Sequence, residues 1–275
     1  MGKKRRKSWF WRFIGSVLKE AAKVASKSVS YVLEGIKNKS EYKKEKINQL
    51  GDSEKGHLYN IQPNIVNFEV EKKIAGNYSL TNKRLLEDSM IVLLFGKRGS
   101  GKSALGFRIL ENTYATTRRK CFVLGVKSSL LPRWIVSIDD MEKVPNGSVI
   151  LVDEGAISYG SRESMSISNR ELSKFLAIAR HKNHTLIFIT QNTGLIDKNI
   201  LKLADILMIK EGSLLQLEME RAEIRKFFKK AKQAFAALSK DKKKYAYIID
   251  SDFEGVVSFS LPNFWSESLS KNRAV

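Results

Sequence analysis

A glycine-rich stretch constrains the fold of this chain more than any other feature. Residues 93–103 read LLFGKRGSGKS and fit the template G-x-x-x-x-G-K-[ST], with Gly96, Gly101, Lys102 and Ser103 in register. This template binds phosphate when it lies between a strand and a helix. Its glycines let backbone N–H groups point toward the phosphate oxygens, and the N-terminus of the following helix carries the positive end of the helix dipole. The apolar SMIVLLFG before it and KSALGFRILENTY after it meet both conditions. The stretch therefore predicts a loop that binds the phosphates of a nucleotide.

The residues of this phosphate loop have different expected roles. Lys102 should reach the β- and γ-phosphates, and the Ser103 hydroxyl should ligate Mg²⁺. The residues expected to contact the nucleotide are Gly96, Lys97, Arg98, Gly99, Ser100, Gly101, Lys102 and Ser103.

An acidic pair closes a second apolar strand about 50 residues downstream of the loop. Residues 148–155 read SVILVDEG. Asp153, at the carboxyl end of that strand, is expected to hold the water shell of Mg²⁺. Glu154 follows it and is the candidate general base that polarises the attacking water. The alternative is a surface acidic pair that only ends the strand.

A third motif, ARHKNHTLIFITQN, occupies residues 179–192. Gln191 ends its strand, where an open α/β sheet presents side chains to a ligand, so it is a candidate sensor of the γ-phosphate or the water. The alternative is an amide that caps the strand. Arg180 ends the preceding helix. It either contacts a phosphate of its own or a neighbouring subunit as an arginine finger, or only complements the helix dipole.

Histidines and arginines near these motifs are further candidates for function. His181 and His184 lack further ligand types nearby, so no metal site is predicted there. The Gly- and Ser-rich stretch 155–168 is expected to be a loop. Arg162 in this loop and Arg170 just after it are candidates for the arginine finger that rank below Arg180. A plain surface loop is the alternative.

Apolar strands that alternate with amphipathic helices predict an α/β fold. Such a pattern indicates a P-loop NTPase-like, mostly parallel sheet with helices on both faces. We predict strands near 89–96, 121–126, 148–153, 184–190 and 205–210, helices near 102–115, 168–182 and 213–239, and a small C-terminal β addition in YAYIID and GVVSFSL. The single cysteine, Cys121, excludes an intramolecular disulfide and is expected to be a buried strand residue.

Positive charge is concentrated in two segments of the 275-residue chain, whose formal net charge is +20. Residues 1–50 hold 14 basic and 4 acidic residues, and residues 221–244 hold 10 basic and 2 acidic. Such segments attract DNA or anionic membranes, although solvated helix faces are the alternative. We predict a basic amphipathic arm (1–48), a connector leading into the domain (49–84), and a domain (85–275) that includes a basic helix at 213–240.

The arm combines aromatic residues with lysines. Trp9, Phe10, Trp11 and Phe13 precede apolar residues at helical spacing, a pattern typical of a helix at a membrane surface. Docking on a virion or other protein partner, or on DNA, is the alternative. The longest apolar runs have the length of strands, so we expect no membrane span. The expected location is the cytoplasm or a virion, or peripherally on the inner face of a membrane.

Taken in order, the motifs resemble those of a known superfamily. The set GKRGSGKS, ILVDEG, ARHKNHTLIFITQ and LIDKNILKLADILMIK, within about 85–212, is similar to the FtsK–HerA superfamily of DNA-pumping ATPases. The arginine–histidine step before the glutamine strand resembles Zot-like assembly ATPases of filamentous phages and packaging ATPases of archaeal and membrane-containing viruses. Phage Zot proteins usually carry a membrane span after the ATPase domain, and the arm is a candidate substitute for it.

The resemblance implies a function and a set of roles. Lys102 and Ser103 would be the Walker A pair, Asp153 and Glu154 the Walker B pair, Gln191 the sensor, and Arg180 the family's arginine. The implied activity is ATP hydrolysis with Mg²⁺ by a homo-oligomeric ring of six subunits that moves DNA for genome packaging or extrusion. Two alternatives stay open: a peripheral membrane ATPase that assembles protein or pilus subunits, and a slowly hydrolysing, nucleotide-switched structural component.

Overall fold

The computed structural model describes residues 60–153, 169–196, 198–238 and 241–271, and these residues lie within one compact unit that begins at His57. Nine strands in the described ranges join one sheet: β1 (Glu69–Gly76), β2 (Ile91–Phe95), β3 (Cys121–Leu124), β4 (Ile135–Ile138), β5 (Val149–Asp153), β6 (Thr185–Thr190), β7 (Ile206–Ile209), β8 (Tyr245–Ile249) and β9 (Phe253–Ser258). Their order across the sheet is β1-β9-β8-β7-β2-β6-β5-β3-β4.

Most of this sheet is parallel. The neighbours from β7 across to β4 all pair in parallel, whereas β8, β9 and β1 extend the sheet antiparallel beyond β7. Strand β2 lies inside the parallel part and is buried at all of its positions, as expected for a strand covered on both faces. The carboxyl ends of β2, β5 and β6 therefore meet at one edge of the sheet, and each of the three motifs contributes one of these ends.

Helices cover both faces of the sheet. In the described ranges they are α1 (Tyr78–Glu87), α2 (Lys102–Thr117), α3 (Asn169–His181), α4 (Lys198–Leu203), α5 (Leu214–Met219), α6 (Ala222–Phe235) and α7 (Glu267–Lys271). Val92 and Leu94 of β2 belong to a core shared with α1 and α2, whereas Leu93 and Phe95 belong to one shared with α3 and α6. The predicted α/β class with its C-terminal β addition is confirmed. Among the helices of the described ranges, each is too short or too polar to cross a bilayer.

The predicted strands around the motifs, and the two C-terminal strands, are present within one to three residues of their expected bounds. The helix predicted at 213–239 is instead two helices, α5 and α6. The chain turns between them because Glu220 is buried there and its carboxylate accepts a hydrogen bond from the Thr193 hydroxyl. Cys121 is a buried strand residue as predicted, and burial raises the pKa of its thiol to about 12.

Five of the strands and helices in the described ranges were not predicted from the sequence: β1, β4, α1 and the short helices α4 and α7. Strand β1 pairs with β9 and α1 packs in the core, so residues 69–87 are part of the domain although most of them fell in the predicted connector. Strand β1 is exposed at every position, and its sequence EVEKKIAG lacks a continuous apolar face. The predicted arm, residues 1–48, lies outside the described residues.

A buried ion pair lies on α2, the helix that follows the phosphate loop. The Arg108 guanidinium lies 2.9 Å from the Glu111 carboxylate, and both side chains are almost fully buried. Glu111 also accepts the backbone N–H groups of Asn64 at 3.1 Å and Asn263 at 3.2 Å, while Arg108 donates to the Ser260 carbonyl at 3.1 Å. The pair therefore connects α2 to residues near both ends of the described chain, Asn64 on one side and Ser260 and Asn263 on the other.

We expect Glu111→Ala to destabilise the protein by about 3–5 kcal/mol, because it leaves the buried Arg108 charge without its partner. Glu142→Ala is the matched control, since it breaks an exposed ion pair with Lys174 of similar length, 2.7 Å, and should change stability far less. Denaturant unfolding of the three proteins measures both effects. Equal losses in the two variants would contradict a structural role for the buried pair.

Candidate functional site

The phosphate loop joins β2 to α2, and its backbone requires glycine at two positions. Gly101 precedes α2 with a left-handed φ of +88°, and a Cβ there would lie 2.8 Å from the carbonyl oxygen of Lys243. Gly96 has a φ of +154°, and a Cβ there would lie 2.7 Å from the Cβ of Lys210. A side chain at either position would collide with the segment behind the loop, so both glycines permit this close packing.

The rest of the loop presents groups suited to an anion. Ser100 is buried, and its hydroxyl has no hydrogen-bond partner within the described ranges. Lys97 is fixed to the end of β7, because its N–H donates to the Glu211 carbonyl at 2.9 Å and its ammonium lies 2.5 Å from the Glu211 carboxylate. Arg98 and Gly99 form the exposed tip of the loop. A buried hydroxyl without a protein acceptor fits a phosphate oxygen, so these residues fit the predicted nucleotide.

The loop lysine is held across the loop. Lys102 is buried, and its ammonium donates to the carbonyl oxygens of Gly96 and Lys97, each at 2.9 Å. These bonds keep the charge at the start of α2, where the helix dipole also favours an anion. Lys102 thus occupies the place expected for a group that contacts phosphates.

The two predicted Mg²⁺ ligands lie in direct contact. The Ser103 hydroxyl donates to Asp153 Oδ2 at 2.7 Å, and both residues are buried. Their contact crosses from α2 to the end of β5, so it depends on the sheet placing β5 near β2. A hydroxyl and one carboxylate fit Mg²⁺, which commonly takes few protein oxygens and completes its shell with phosphates and water. No larger cluster of His, Cys, Asp or Glu suited to a metal occurs in the described part of the chain.

Gln191 lies at the same edge of the sheet. It follows β6, whose Thr190 pairs with Phe95 of β2 and whose Ile189 pairs with Asp153 of β5. Its side chain is exposed. The structure therefore brings Gln191 beside the end of β2 that leads into the loop and beside the Ser103–Asp153 contact. This position suits the predicted sensor, and that role stays a prediction.

Two predicted residues, Glu154 and Arg162, lie outside the described residues, and Arg170 lies in α3.

Arg180 lies at the opposite edge of the sheet from the phosphate loop. Its guanidinium donates to the Leu203 carbonyl at 2.6 Å and lies 3.9 Å from Asp205. Asp205 bonds to the N–H of Ile91, which begins β2, whereas the loop follows the other end of that strand. Five residues of strand span about 13 Å, so contact between Arg180 and a phosphate in its own subunit is not supported. An action on a neighbouring subunit stays a prediction.

His184 is the buried one of the two histidines in the third motif. Neither of its ring nitrogens has a hydrogen-bond partner among the described residues. Burial, together with the charges of Lys182 and Arg119, lowers the pKa of His184 to about 4. His184 is therefore a neutral core residue at neutral pH.

Two residues next to the site were given no role by the sequence motifs. Lys210, directly after β7, is completely buried beneath the phosphate loop. Arg221, at the start of α6, donates to the carbonyl oxygens of Thr193, Gly194 and Ile196, in the loop that follows Gln191. The sequence carries only weak signals for them: Lys210 is a charged residue at the end of an apolar strand, and Arg221 is one of ten basic residues in 221–244.

A family model described as zonular occludens toxin (Zot) matches residues 106–214. The match starts after the phosphate loop and includes Asp153, Arg180 and Gln191. The resemblance to Zot-like ATPases expected from the motifs is confirmed over this segment. No curated protein sequence matches the chain.

Several solved structures are similar to this one. The DNA-packaging ATPase B204 of Sulfolobus turreted icosahedral virus is 17% identical over 64% of this chain and 99% of its own, with a TM-score of 0.43. The N-terminal domain of zonular occludens toxin from Neisseria meningitidis is 22% identical over 44% and 76%, with a TM-score of 0.32. The pCW3 conjugation coupling protein TcpA is 13% identical over 66% and 62%, with a TM-score of 0.43.

Proposed function

We propose that this chain is an ATP-hydrolysing DNA translocase, which packages or extrudes a viral or mobile-element genome as a homo-oligomeric ring. The observation that carries the proposal is the buried 2.7 Å contact between the Ser103 hydroxyl and Asp153 beside the phosphate loop. That contact brings the phosphate loop and the end of β5 together into a site suited to a nucleotide with Mg²⁺. The resemblance to Zot-like ATPases supports the proposal that this site drives a motor.

Under this proposal, each residue of the nucleotide site has its own role in hydrolysis. The backbone of the loop and Lys102 bind the β- and γ-phosphates, and Ser103 and Asp153 hold the metal site. Mg²⁺, when bound there, neutralises charge on the phosphate oxygens. Glu154 takes a proton from the attacking water, and Gln191 orients that water or the γ-phosphate.

Glu154→Gln should bind ATP and hydrolyse it slowly, because loss of a positioned base typically lowers a rate by about 10²–10⁴-fold. Lys102→Ala should lose nucleotide binding or turnover, since it removes the loop's ammonium. Binding of a fluorescent ATP analogue and phosphate release are measured on both variants. Turnover by Glu154→Gln near the wild-type rate would remove Glu154 from its role.

Helix α6 is the candidate surface for DNA. Its buried positions face the sheet and include Ile224 and Phe228, whose ring packs edge-on against Phe95 of β2 at 5.4 Å between centroids. The exposed basic residues of α6 are Lys226, Lys229, Lys230 and Lys232. Lys230 pairs with Glu254 at 2.9 Å. The Arg225 guanidinium does not join this face, because it donates to the carbonyls of Glu218 and Glu220. Three lysines thus carry the positive face.

The start of α6 is tied to the site. The Arg221 guanidinium donates to three carbonyl oxygens of the loop after Gln191, the shortest bond being 2.8 Å to Gly194. On the same loop, the Thr193 hydroxyl donates to the buried Glu220 carboxylate. DNA on the lysine face would therefore contact a helix whose N-cap residue, Arg221, holds the loop after Gln191. This connection supports a motor in which DNA and nucleotide affect each other.

We expect duplex DNA to stimulate the ATPase rate of the wild-type protein. Reversal of Lys226, Lys229 and Lys232 to Glu should weaken DNA binding and abolish this stimulation. It should also flatten the salt dependence of binding by roughly 0.9 in log–log slope for each phosphate that α6 no longer neutralises. Reversal of the exposed Lys72, Lys73 and Lys83, on β1 and α1, is the control with an equal change in net charge.

The outcomes of this experiment separate the candidate functions. An unchanged slope in the α6 variant, or equal slopes in both variants, would mean that α6 is merely solvated. ATPase activity without any response to DNA would contradict the translocase and favour a membrane assembly ATPase, for which the arm with Trp9 and Trp11 would be the tether. Turnover that is slow under all conditions would favour the structural component.

Arg180 provides a test of the ring. Its side chain is half-exposed and lies away from its own phosphate loop, as described above. If it acts across a subunit boundary, Arg180→Ala mixed with Glu154→Gln should recover part of the activity, because some interfaces then combine an intact arginine with an intact base. Light scattering confirms the oligomers, and the unmixed variants are the controls. No recovery at any mixing ratio would indicate a structural arginine.

A further inference from the structure

Lys210 is a buried cation between the parallel sheet and the C-terminal β addition. Its side chain has no solvent exposure. Its ammonium donates to the Lys243 carbonyl at 2.6 Å and to the Tyr245 carbonyl, and it lies 4.5 Å from the centroid of the Phe259 ring. These partners belong to a short 3-10 turn (Lys242–Lys244), to the start of β8 and to the residue after β9. One ammonium therefore gathers three parts of the C-terminal region.

The same side chain runs along the underside of the phosphate loop. The Lys210 N–H donates to the Phe95 carbonyl at 2.8 Å, just before the loop begins. A Cβ on Gly96 would lie 2.7 Å from the Lys210 Cβ, and one on Gly101 would lie 3.7 Å from its Cε. The Lys243 carbonyl that Lys210 holds is itself 2.8 Å from that Gly101 Cβ position. Lys210 thus touches the loop near both ends.

We propose that Lys210 is a positioning residue of the nucleotide site, which fixes the turn Lys242–Lys244 against the phosphate loop and places a second positive charge, after that of Lys102, beneath the bound phosphates. This inference rests on the proposed nucleotide binding and makes the C-terminal β addition part of that site. Replacement of Lys210 should therefore weaken nucleotide binding by more than any loss of folded protein accounts for.

Several charged groups face Lys210. The pKa of its ammonium is lowered to about 7, mainly by burial and also by the charge of Lys102 on α2, while Asp241 before the turn and the adjacent Glu211 oppose that change. Bound phosphates add negative charge nearby, which favours the ammonium and raises its pKa. The protonated protein therefore binds nucleotide more tightly. By linkage, affinity is highest below pH 7 and falls as the pH rises through the pKa of the free protein.

The test measures the dissociation constant of ATPγS with Mg²⁺ between pH 6.5 and pH 9, on the full chain, for three proteins. Lys210→Met keeps the length of the side chain without its charge. Lys182→Met is the matched control, because the Lys182 ammonium also donates to two backbone carbonyls, those of Glu142 and Val144, but near the opposite edge of the sheet. Titration of the nucleotide itself affects all three proteins equally.

At pH 6.5 we expect Lys210→Met to bind at least about tenfold more weakly than the wild type, given the strength of charge interactions in partly buried sites. The difference should shrink toward pH 9, while Lys182→Met should follow the wild type at every pH. Equal affinity of Lys210→Met and wild type at pH 6.5, or a loss that is independent of pH or shared by Lys182→Met, would overturn the proposal. Absence of nucleotide binding by the wild type would instead overturn the proposed function.

A second variant keeps the inference testable if Lys210→Met does not fold. Phe259→Leu removes the ring beside the ammonium and keeps both carbonyl bonds. Since the ring favours the charged form, its loss should lower the pKa of Lys210 and shift the fall in affinity to lower pH. A profile for Phe259→Leu that coincides with the wild-type profile would overturn the proposal.

Discussion

The buried pair of Arg108 and Glu111 holds together parts of the chain that are far apart in sequence. Glu111 accepts N–H groups from Asn64 and from Asn263, while Arg108 donates to the Ser260 carbonyl and lies 2.9 Å from Glu111. A buried charge pair is tolerated only when its hydrogen-bond donors and acceptors have partners. Detaching either terminal segment from α2 would remove such partners and therefore destabilise the protein. The helix that begins at the phosphate loop is thereby fixed in direction, and the phosphate-binding geometry depends on that direction.

The order of the strands divides the nucleotide site into two sides around β2. On the side of β6 and β5 lie Gln191 and Asp153, the groups proposed to act on the γ-phosphate and Mg²⁺. On the side of β7 and β8 lie Lys210 and the turn that it holds. The proposed catalytic and metal-binding groups of the first side are side chains that belong to recognisable sequence motifs. The second side supports the loop from beneath, through backbone carbonyls, and so allows the antiparallel addition to influence a site in the parallel sheet.

The positions of the residues on the first side follow from the motifs, because each motif ends a strand of one parallel sheet and those ends share an edge; the roles of the residues stay predictions. Ser103 and Asp153 were expected to share one ion, and they lie in direct contact. Lys210 could not be predicted in the same way, since its partners are carbonyls 33 and 35 residues away, which have no side-chain pattern. The break between α5 and α6 likewise depends on a tertiary bond of Glu220. The exposed edge strand β1 has no apolar pattern to detect.

Helix α6 contacts the proposed catalytic side at two separated points. Its N-cap residue, Arg221, holds the loop after Gln191. Its Phe228 packs against Phe95, the last residue of β2 before the phosphate loop. A helix is stiff along its axis, so a change at either point moves the whole lysine face rather than one residue. Under the proposed function, a shift of the Gln191 loop on phosphate release would reach bound DNA without crossing a flexible linker. The same contacts imply the reverse effect, because coupling between two binding sites is reciprocal.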